Sequence, residues 1–543
     1  LYKKCTPLLI GLFVAAQLML PQTPQAAPDH LDQDEAIRLE LEQPQLTCTT
    51  PAVPLDQSSR EALTAFYHQL DFQAVWRKSA RLRQLLGQLE QLADDGLDPA
   101  TYHVEALRQL AGDEATAPDQ DACTEVLATH VYLQALHHLG NGRLDPTGLE
   151  PIWHASSSYT ATPPALFPAF AVTELDDLPT AFERARPSLE SYQTLRRAYA
   201  ARRQDPPGPW PQVPEGKVLQ PSMTDPRIPV LERRLAAEGY LTEKRRRGEP
   251  ADRYTGRLVD AVKRFQAHNN LDVDGVLGPA TLAAMNVIPA ARMDQLRVNL
   301  ERLRWLAREM EPTLLLVDIA GAHLTFYRDG QALWQTRTQV GRAARPTPLL
   351  KSAITHITLN PTWTVPPTIL REDKLPHIQR DPGYLANHGL RVLDASGKEL
   401  NPRRVDWNNP GGVMLRQDPG PQNPLGQVAI RFANPFSVYL HDTPSQQLFA
   451  KETRTLSSGC VRVEKAMQLT DLLLSEATPA ERERIAQILA SRETRNVKLP
   501  RPVPILLAYW TAQVDEDGEL VFKADIYGHD EKILDALKGQ DRS

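Results

Sequence analysis

Eight prolines crowd residues 205–229: Pro206, Pro207, Pro209, Pro211, Pro214, Pro221, Pro226 and Pro229. A proline ring fixes φ and removes a backbone donor, so this stretch can be neither a helix interior nor a central sheet strand. It reads as a semi-rigid, extended connector, and the chain must fold as separate units on either side of it. At ~150 residues per domain, a chain of this length holds about three or four such units. Proline is frequent elsewhere too, at 46 of 543 residues. The net charge of −6 argues against a nucleic-acid binder built on a broad basic surface.

The first residues carry an address. Lys3 and Lys4 precede a largely apolar run from Thr6 to Leu20, and small residues come after it near Ala26-Ala27. That order matches a secretory signal, whereas a spanning helix usually wants ~20 apolar residues. Residues 1–27 are therefore expected to direct export to the periplasm, either cleaved or retained as an inner-membrane anchor.

From residue 28 to 204 the pattern is helical. Arg81, Leu82, Leu85, Leu86, Leu89 and Leu92 fall at three- and four-residue spacings, an apolar stripe on one helix face. Asp98-Pro99 and Asp145-Pro146 read as helix starts, with Asp as cap and Pro in the first turn. The His137-His138 pair reads as a surface pair, because neighbours on a helix point in different directions. No Cys/His cluster has zinc-ligand spacing, and this region is expected to be an α-helical scaffold.

After the connector (205–224), residues 225–288 form a compact unit. Leu231, Leu235 and Tyr240 give one apolar stripe, and Leu258, Val262 and Phe265 give another. Asp274-Gly275 makes a turn, and Gly278-Pro279 opens a short helix with Leu282 and Met285. The runs Ala261–Gln266 and Asp274–Leu282 resemble the three-helix peptidoglycan-binding module. Lys244-Arg245-Arg246-Arg247 reads first as a solvated loop; contact with an anionic wall polymer is the alternative. A helical stripe at 289–311 (Leu296, Leu300, Leu303, Leu306) is expected to rejoin the scaffold. From Leu314 the period changes to that of strands, at 314–319, 324–327, 354–359, 428–432 and 437–441.

The chemistry concentrates near residue 450. His441 ends an alternating strand, and Cys460 comes after the small residues Ser457, Ser458 and Gly459, just ahead of a helix expected at 464–475. Acyl transfer needs a thiolate, and a nearby base lowers the cost of making one. Tight-turn N–H groups hold an oxyanion, and a guanidinium such as that of Arg462 meets a carboxylate through two parallel hydrogen bonds. On spacing alone, a small buried cysteine fits as well as a nucleophile.

The wider pattern resembles the L,D-transpeptidase (YkuD-type) family. It includes Val340-Gly341-Arg342 with Arg345-Pro346-Thr347-Pro348, Asn360–Pro367, and Gly420–Gly426. With the leader, scaffold and binding module, the order of segments is similar to that of the large YcbB-like periplasmic branch. The resemblance implies a multi-domain α+β protein: helical scaffold, binding module, and a mainly-β catalytic domain at 312–508 with an extension at 509–543. It implies Cys460 as nucleophile, His441 as general base, and backbone donors at Ser458, Gly459 and Cys460 for the oxyanion. Arg462, Tyr439, Trp363 and Asn423 are expected to contact substrate. Ser458 stands where many members have histidine, and Asp442 where smaller members have Gly or Ser; the Asp442 carbonyl is expected to orient His441.

The implied reaction is formation of 3→3 cross-links between peptidoglycan stems, with L,D-carboxypeptidase hydrolysis or non-catalytic wall binding as alternatives. Stem peptides and glycan strands are the implied partners, other wall synthases are candidate partners, and no metal or organic cofactor is needed. Between the Trp363 and Gln427 strands lie roughly 60 residues, far more than the ~12–15 of an ordinary connection, so an inserted cap is expected at about 366–426. Once the leader with Cys5 is removed, three cysteines remain; export permits one disulfide, and Cys48 with Cys123 is the expected pair because it leaves Cys460 as the single thiol.

Overall fold

The structure, a computed structural model, describes residues 33–76, 79–112, 118–149, 166–451 and 453–541. The leader at 1–27 lies outside them. Among the described residues no helix is long and apolar enough to cross a membrane, and no cluster of His, Cys, Asp or Glu could hold a metal ion.

The scaffold contains helices Gln57–His68, Ser79–Gln91, Val104–Gly112, Pro118–Asn141 and Leu178–Ala185. The stripe of Leu82, Leu85, Leu86, Leu89 and Leu92 is buried in their common core. Asp98 and Asp145 do cap, accepting N–H bonds from Ala100 at 3.0 Å and Thr147 at 2.9 Å, but each opens a single 3-10 turn rather than an α-helix. The His137-His138 reading needs correction. His137 is exposed, whereas His138 is half-buried, its Nδ1 2.9 Å from the Tyr102 hydroxyl, because its turn of the helix faces the scaffold core.

The proline-rich stretch is extended but not free. Trp210, Val213 and Leu219 are buried, Val213 exchanges two 2.9 Å hydrogen bonds with the Asn286 side chain, and Leu219 bridges to Leu277. Its apolar residues are thereby added to the core of the next unit. That unit has helices Ile228–Ala237, Gly256–Ala267 and Pro279–Met285. Gln266, buried at its centre, accepts the Gly275 N–H at 2.8 Å and donates to Asp274 Oδ1 at 2.9 Å, which fixes the Asp-Gly turn. Residues 244–247 are exposed in the loop between the first two helices, and Arg245 pairs with Glu232.

A connecting helix, Pro289–Leu306, leads into a nine-stranded sheet. Its strands are β1 (Leu314–Asp318), β2 (His323–Arg328), β3 (Gln331–Gly341), β4 (Leu350–Leu359), β5 (Val428–Phe432), β6 (Leu440–His441), β7 (Thr455–Ser457), β8 (Val461–Val463) and β9 (Arg495–Ala508). The order is β7-β3-β8-β6-β5-β4-β9-β1-β2, and β2 also pairs with β3, so the sheet closes on itself. Closure of the eight strands from β3 round to β2 removes their open edges, and the short β7 lies outside the ring, paired with β3. The predicted strand at 437–441 is shorter than expected, because Asn434 holds residues 436–438 in a turn by accepting from Phe436 and Val438.

Between β4 and β5 the chain leaves the barrel. It builds a separate three-stranded sheet (Trp363–Thr364, Leu390–Leu393, Met414–Gln417) with its own small core of Val365, Leu370, Ile378, Leu385, Leu390, Val392 and Leu415.

Cys48 and Cys123 are bonded, with Cα atoms 5.9 Å apart, and Cys460 is the free cysteine. Protein lacking residues 1–27, denatured without reductant, should expose one thiol; three would refute the bond. Replacing both scaffold cysteines by serine should lower stability by up to about 4 kcal/mol, measured by denaturant unfolding, since the closed loop spans 75 residues.

Candidate active site

Cys460 sits in the tight turn between β7 and β8, and that turn is held from three sides. Ser457 Oγ donates to the Cys460 carbonyl at 2.5 Å and accepts the Gly459 N–H at 3.1 Å. Thr347 Oγ1 donates to the Gly459 carbonyl at 2.8 Å and accepts the Gly341 N–H, also at 2.8 Å. Tyr527, from the C-terminal extension, donates to the Gly341 carbonyl at 2.6 Å and accepts the Thr347 N–H at 3.1 Å.

Two glycines are required by this packing. Gly459 has φ +112°, and a Cβ on Gly341 would lie 2.2 Å from the Arg345 carbonyl oxygen. The Gly459 N–H is committed to Ser457, so of the expected oxyanion donors Gly459 is not free; the Cys460 N–H faces no such partner among the described residues.

Strand β6 lies parallel to β8, with Leu440 opposite Val461, which sets Cys460 beside Tyr439. The Tyr439 ring stands 5.6 Å from that of His441. Sγ also meets the Ser437 carbonyl, at 3.9 Å. No hydrogen bond joins Cys460 to His441 among the described residues.

His441 is buried, and its Nδ1 lies 2.5 Å from the Asp442 carbonyl, which places the ring proton on Nδ1. Asp442 itself is braced: its carboxylate accepts the Gln427 N–H at 2.9 Å and packs where a side chain on Gly426 would be. Burial, reinforced by the positive charges of Arg462 and Arg431, pushes His441 down to about 3, against the pull of the Asp442 and Pro424 carbonyls. Burial likewise pushes the Cys460 thiol above its ordinary value, with Tyr439, Arg431 and Arg462 opposing. Thiol and imidazole are therefore both neutral near pH 7.

Arg462 donates to Gln339 Oε1 at 3.1 Å and keeps its Nε unpaired inside the protein, a donor available to an anion. Arg431, on β5, is a site residue that the sequence reading does not single out. Its guanidinium lies 3.9 Å from the Tyr439 ring centre, and no carboxylate among the described residues binds it. Its only sequence signal is a charge interrupting the apolar run of Val428, Ala429, Ile430 and Phe432. Two cations without acidic partners among the described residues thus flank the thiol.

One expected substrate contact, Asn423, is spent on its own loop. Asn423 is fully buried, donating to the Pro361 carbonyl at 2.9 Å and accepting the Leu425 N–H at 2.9 Å. Its amide organises the Gly420–Gly426 loop and has no face left for a ligand. Trp363 lies in the cap sheet and packs against the cap core. A large cavity, about 1140 Å³, is also elsewhere, between the scaffold and the barrel, lined by Phe167, Leu303, Leu306 and Trp510.

Family models match the chain in three places: "Scaffold domain" at 61–198, "Putative peptidoglycan binding domain" at 224–285, and "L,D-transpeptidase catalytic domain" at 312–485. The chain carries a YkuD-family L,D-transpeptidase catalytic domain.

A Haemophilus influenzae protein named "Putative L,D-transpeptidase" is 37% identical over 222 residues, 40% of this chain and 45% of that protein. The chain thus spans less than half the length of that relative. Among solved structures, the L,D-transpeptidase from Mycobacterium smegmatis is 15% identical, covering 36% of this chain and 58% of that one, with a TM-score of 0.17. The L,D-transpeptidase from Xylanimonas cellulosilytica is 18% identical, covering 54% and 99%, with a TM-score of 0.17.

The transpeptidase domain makes two checks available. With His441 neutral, alkylation of Cys460 should rise with pH in a single step above pH 9; a plateau between pH 6 and 8 would reveal an ion pair instead. Thr347→Val keeps the shape but strands the Gly341 N–H and the Gly459 carbonyl, and should cost about 1–3 kcal/mol in denaturant unfolding.

Proposed function

We infer that the chain is an exported, periplasmic L,D-transpeptidase of peptidoglycan, with Cys460 as its nucleophile. The observation that carries this reading is the nucleophile turn. A half-buried thiol on a turn fixed by Ser457 and Thr347, between two guanidinium groups without acidic partners among the described residues, is suited to attack an acyl group on an anionic substrate.

In the first half-reaction Sγ attacks the carbonyl of the third residue, a diamino acid, of a tetrapeptide stem. The thiol proton leaves as the S–C bond forms, because neither partner is charged beforehand, and His441 receives it through Nε2. The Cys460 N–H and the flanking cations oppose the charge that develops on oxygen. The C–N bond to the terminal D-Ala breaks, the departing amine takes the proton from His441, and a thioester remains. The amine of a neighbouring stem then attacks that thioester and passes a proton to His441; the C–S bond breaks to leave a 3→3 amide, and the departing Cys460 thiolate takes the proton back from His441. Arg462 and Arg431 are placed to hold stem carboxylates, and the module at 225–288 is read as the part that keeps the domain on glycan. The same acyl-enzyme chemistry extends to carbapenems, whose strained carbonyl is an activated donor.

Purified muropeptides distinguish the outcomes: cross-linked dimer from transpeptidation, trimmed tripeptide from hydrolysis, no change from a binding scaffold. Dimer is expected. Cys460→Ala should abolish it together with any carbapenem adduct on intact-mass analysis, and His441→Ala should leave the thiol countable but slow turnover by at least about a hundredfold. Full activity in Cys460→Ala would overturn the assignment.

A further inference from the structure

The cap's first segment, 367–380, meets the barrel through one cluster of charges, and that cluster reaches the turn that carries Cys460. The cap's first helical segment is broken into three pieces: Pro367–Ile369, a five-residue π turn Leu370–Lys374, and Leu375–Arg380. The break has a cause in the sequence. Pro376 has no N–H to give the Glu372 carbonyl, and its ring would crowd that carbonyl in a regular helix. The backbone widens instead, and the Leu375 N–H reaches the Leu370 carbonyl five residues back. π turns of this kind are rare and tend to mark functional positions.

The widened turn presents Glu372 and Asp373 to Arg345. That guanidinium donates to Glu372 Oε2 at 2.6 Å and to Asp373 Oδ2 and Oδ1 at 2.7 and 2.9 Å. The same guanidinium donates to Ser458 Oγ at 3.0 Å, two residues before the nucleophile. Arg342 adds a longer contact to Asp373, at 3.5 Å. Among the described residues, every hydrogen bond and ion pair between 367–380 and the barrel runs through Arg342 or Arg345.

We propose that Arg345 is a positioning residue: it clamps the cap shut over Cys460 by pairing with Glu372 and Asp373, and it transmits the cap's position to the nucleophile turn through Ser458. The arrangement suits a contact that must open once per turnover. Arg345 is mostly buried, with 12% of its side chain exposed, whereas Asp373 and Glu372 are 33% and 47% exposed, so water and salt reach the acidic half of the clamp. Exposed pairs are weak and screened, and the Debye length shrinks from ~10 Å at 0.1 M salt to ~3 Å at 1 M. Glu372 and Asp373 also compete for Arg345 with any carboxylate brought near Ser458, so an arriving anionic substrate would itself help to release the cap. The inference rests on Cys460 being the nucleophile of the proposed transpeptidase, but its test needs no turnover.

The test uses Cys460 as the reporter. The full chain carrying Cys5→Ser, so that Cys460 is the thiol left to label, would be treated with a bulky maleimide at low salt and at roughly ten times that concentration, alongside the same chain with Glu372→Gln/Asp373→Asn, a pair confined to the cap. The wild-type rate is expected to rise at least about threefold with salt. The double variant should label at the fast rate in both buffers. A reversed clamp, Arg345→Glu with Glu372→Arg and Asp373→Arg, should restore slow, salt-sensitive labelling. Hydrogen exchange on the double variant should quicken at 367–380 and stay unchanged at 390–417, separating release of the cap from its unfolding.

Equal rates for wild type and the double variant at low salt would overturn the proposal, as would quickened exchange throughout the cap. Failure of the transpeptidase reading would show differently, as turnover by Cys460→Ala protein while labelling of the chain that keeps Cys460 stays salt-sensitive and cap-dependent.

Discussion

Everything the barrel presents to substrate is hung on one helix whose polar side chains are buried. Glu301, Arg302 and Arg304 of the connecting helix are each at most 2% exposed. Arg304 pairs with Glu301 at 2.8 Å and donates to the Asp95 carbonyl in the scaffold, while Glu301 also accepts the Leu144 N–H at 2.8 Å. Asp95 is itself held by Arg186, Arg196 and Tyr192. Toward the other end, Asn299 donates to Thr511, Arg302 pairs with Asp530, and Arg292 donates to Asn269 of the binding module at 2.6 Å. Scaffold, binding module, barrel and C-terminal extension thus share a single buried network. Removing one partner from such a network typically costs ~3–5 kcal/mol, because the other charge stays behind without solvent.

That network also shows why sequence patterns reach only so far. Leu296, Leu300, Leu303 and Leu306 announce a helix with one apolar face, and a leucine stripe conventionally implies that the intervening Arg and Glu face water. Here they face protein, since Arg304 meets Asp95 from 209 residues earlier and Arg302 meets Asp530 from 228 residues later. Spacing carries no information about such meetings.

The site divides in the same way. Gly341, Thr347 and Gly459 stand out in the motifs because their roles are local and steric: a carbonyl 2.2 Å from any Cβ, a hydroxyl bridging two backbone groups, a positive φ. Asn423 sits in an equally conspicuous motif, yet its amide is spent on its own loop. A motif marks what a turn needs and does not say which of its side chains look outward. Arg431 is the opposite case. One charged residue in an apolar strand is unremarkable until strand order places it across from Tyr439. The pairing of Cys48 with Cys123 comes from chemistry instead: export permits a bond, and only one choice spares the nucleophile.

The order of strands carries a consequence for how the molecule comes into being. The barrel cannot close until β9 (Arg495–Ala508) inserts between β4 and β1, and the nucleophile turn is not braced until Tyr527 binds Gly341 and Thr347. Both belong to the last tenth of the chain. In a polypeptide made from its N-terminus, the residues of the scaffold and the peptidoglycan-binding domain are therefore in place before those that close the barrel and brace Cys460. Long-range closures of this sort are slow steps in folding, since distant segments must find each other before any contact rewards them. The bracing of the Cys460 turn waits on Tyr527, a residue made after every strand of the barrel.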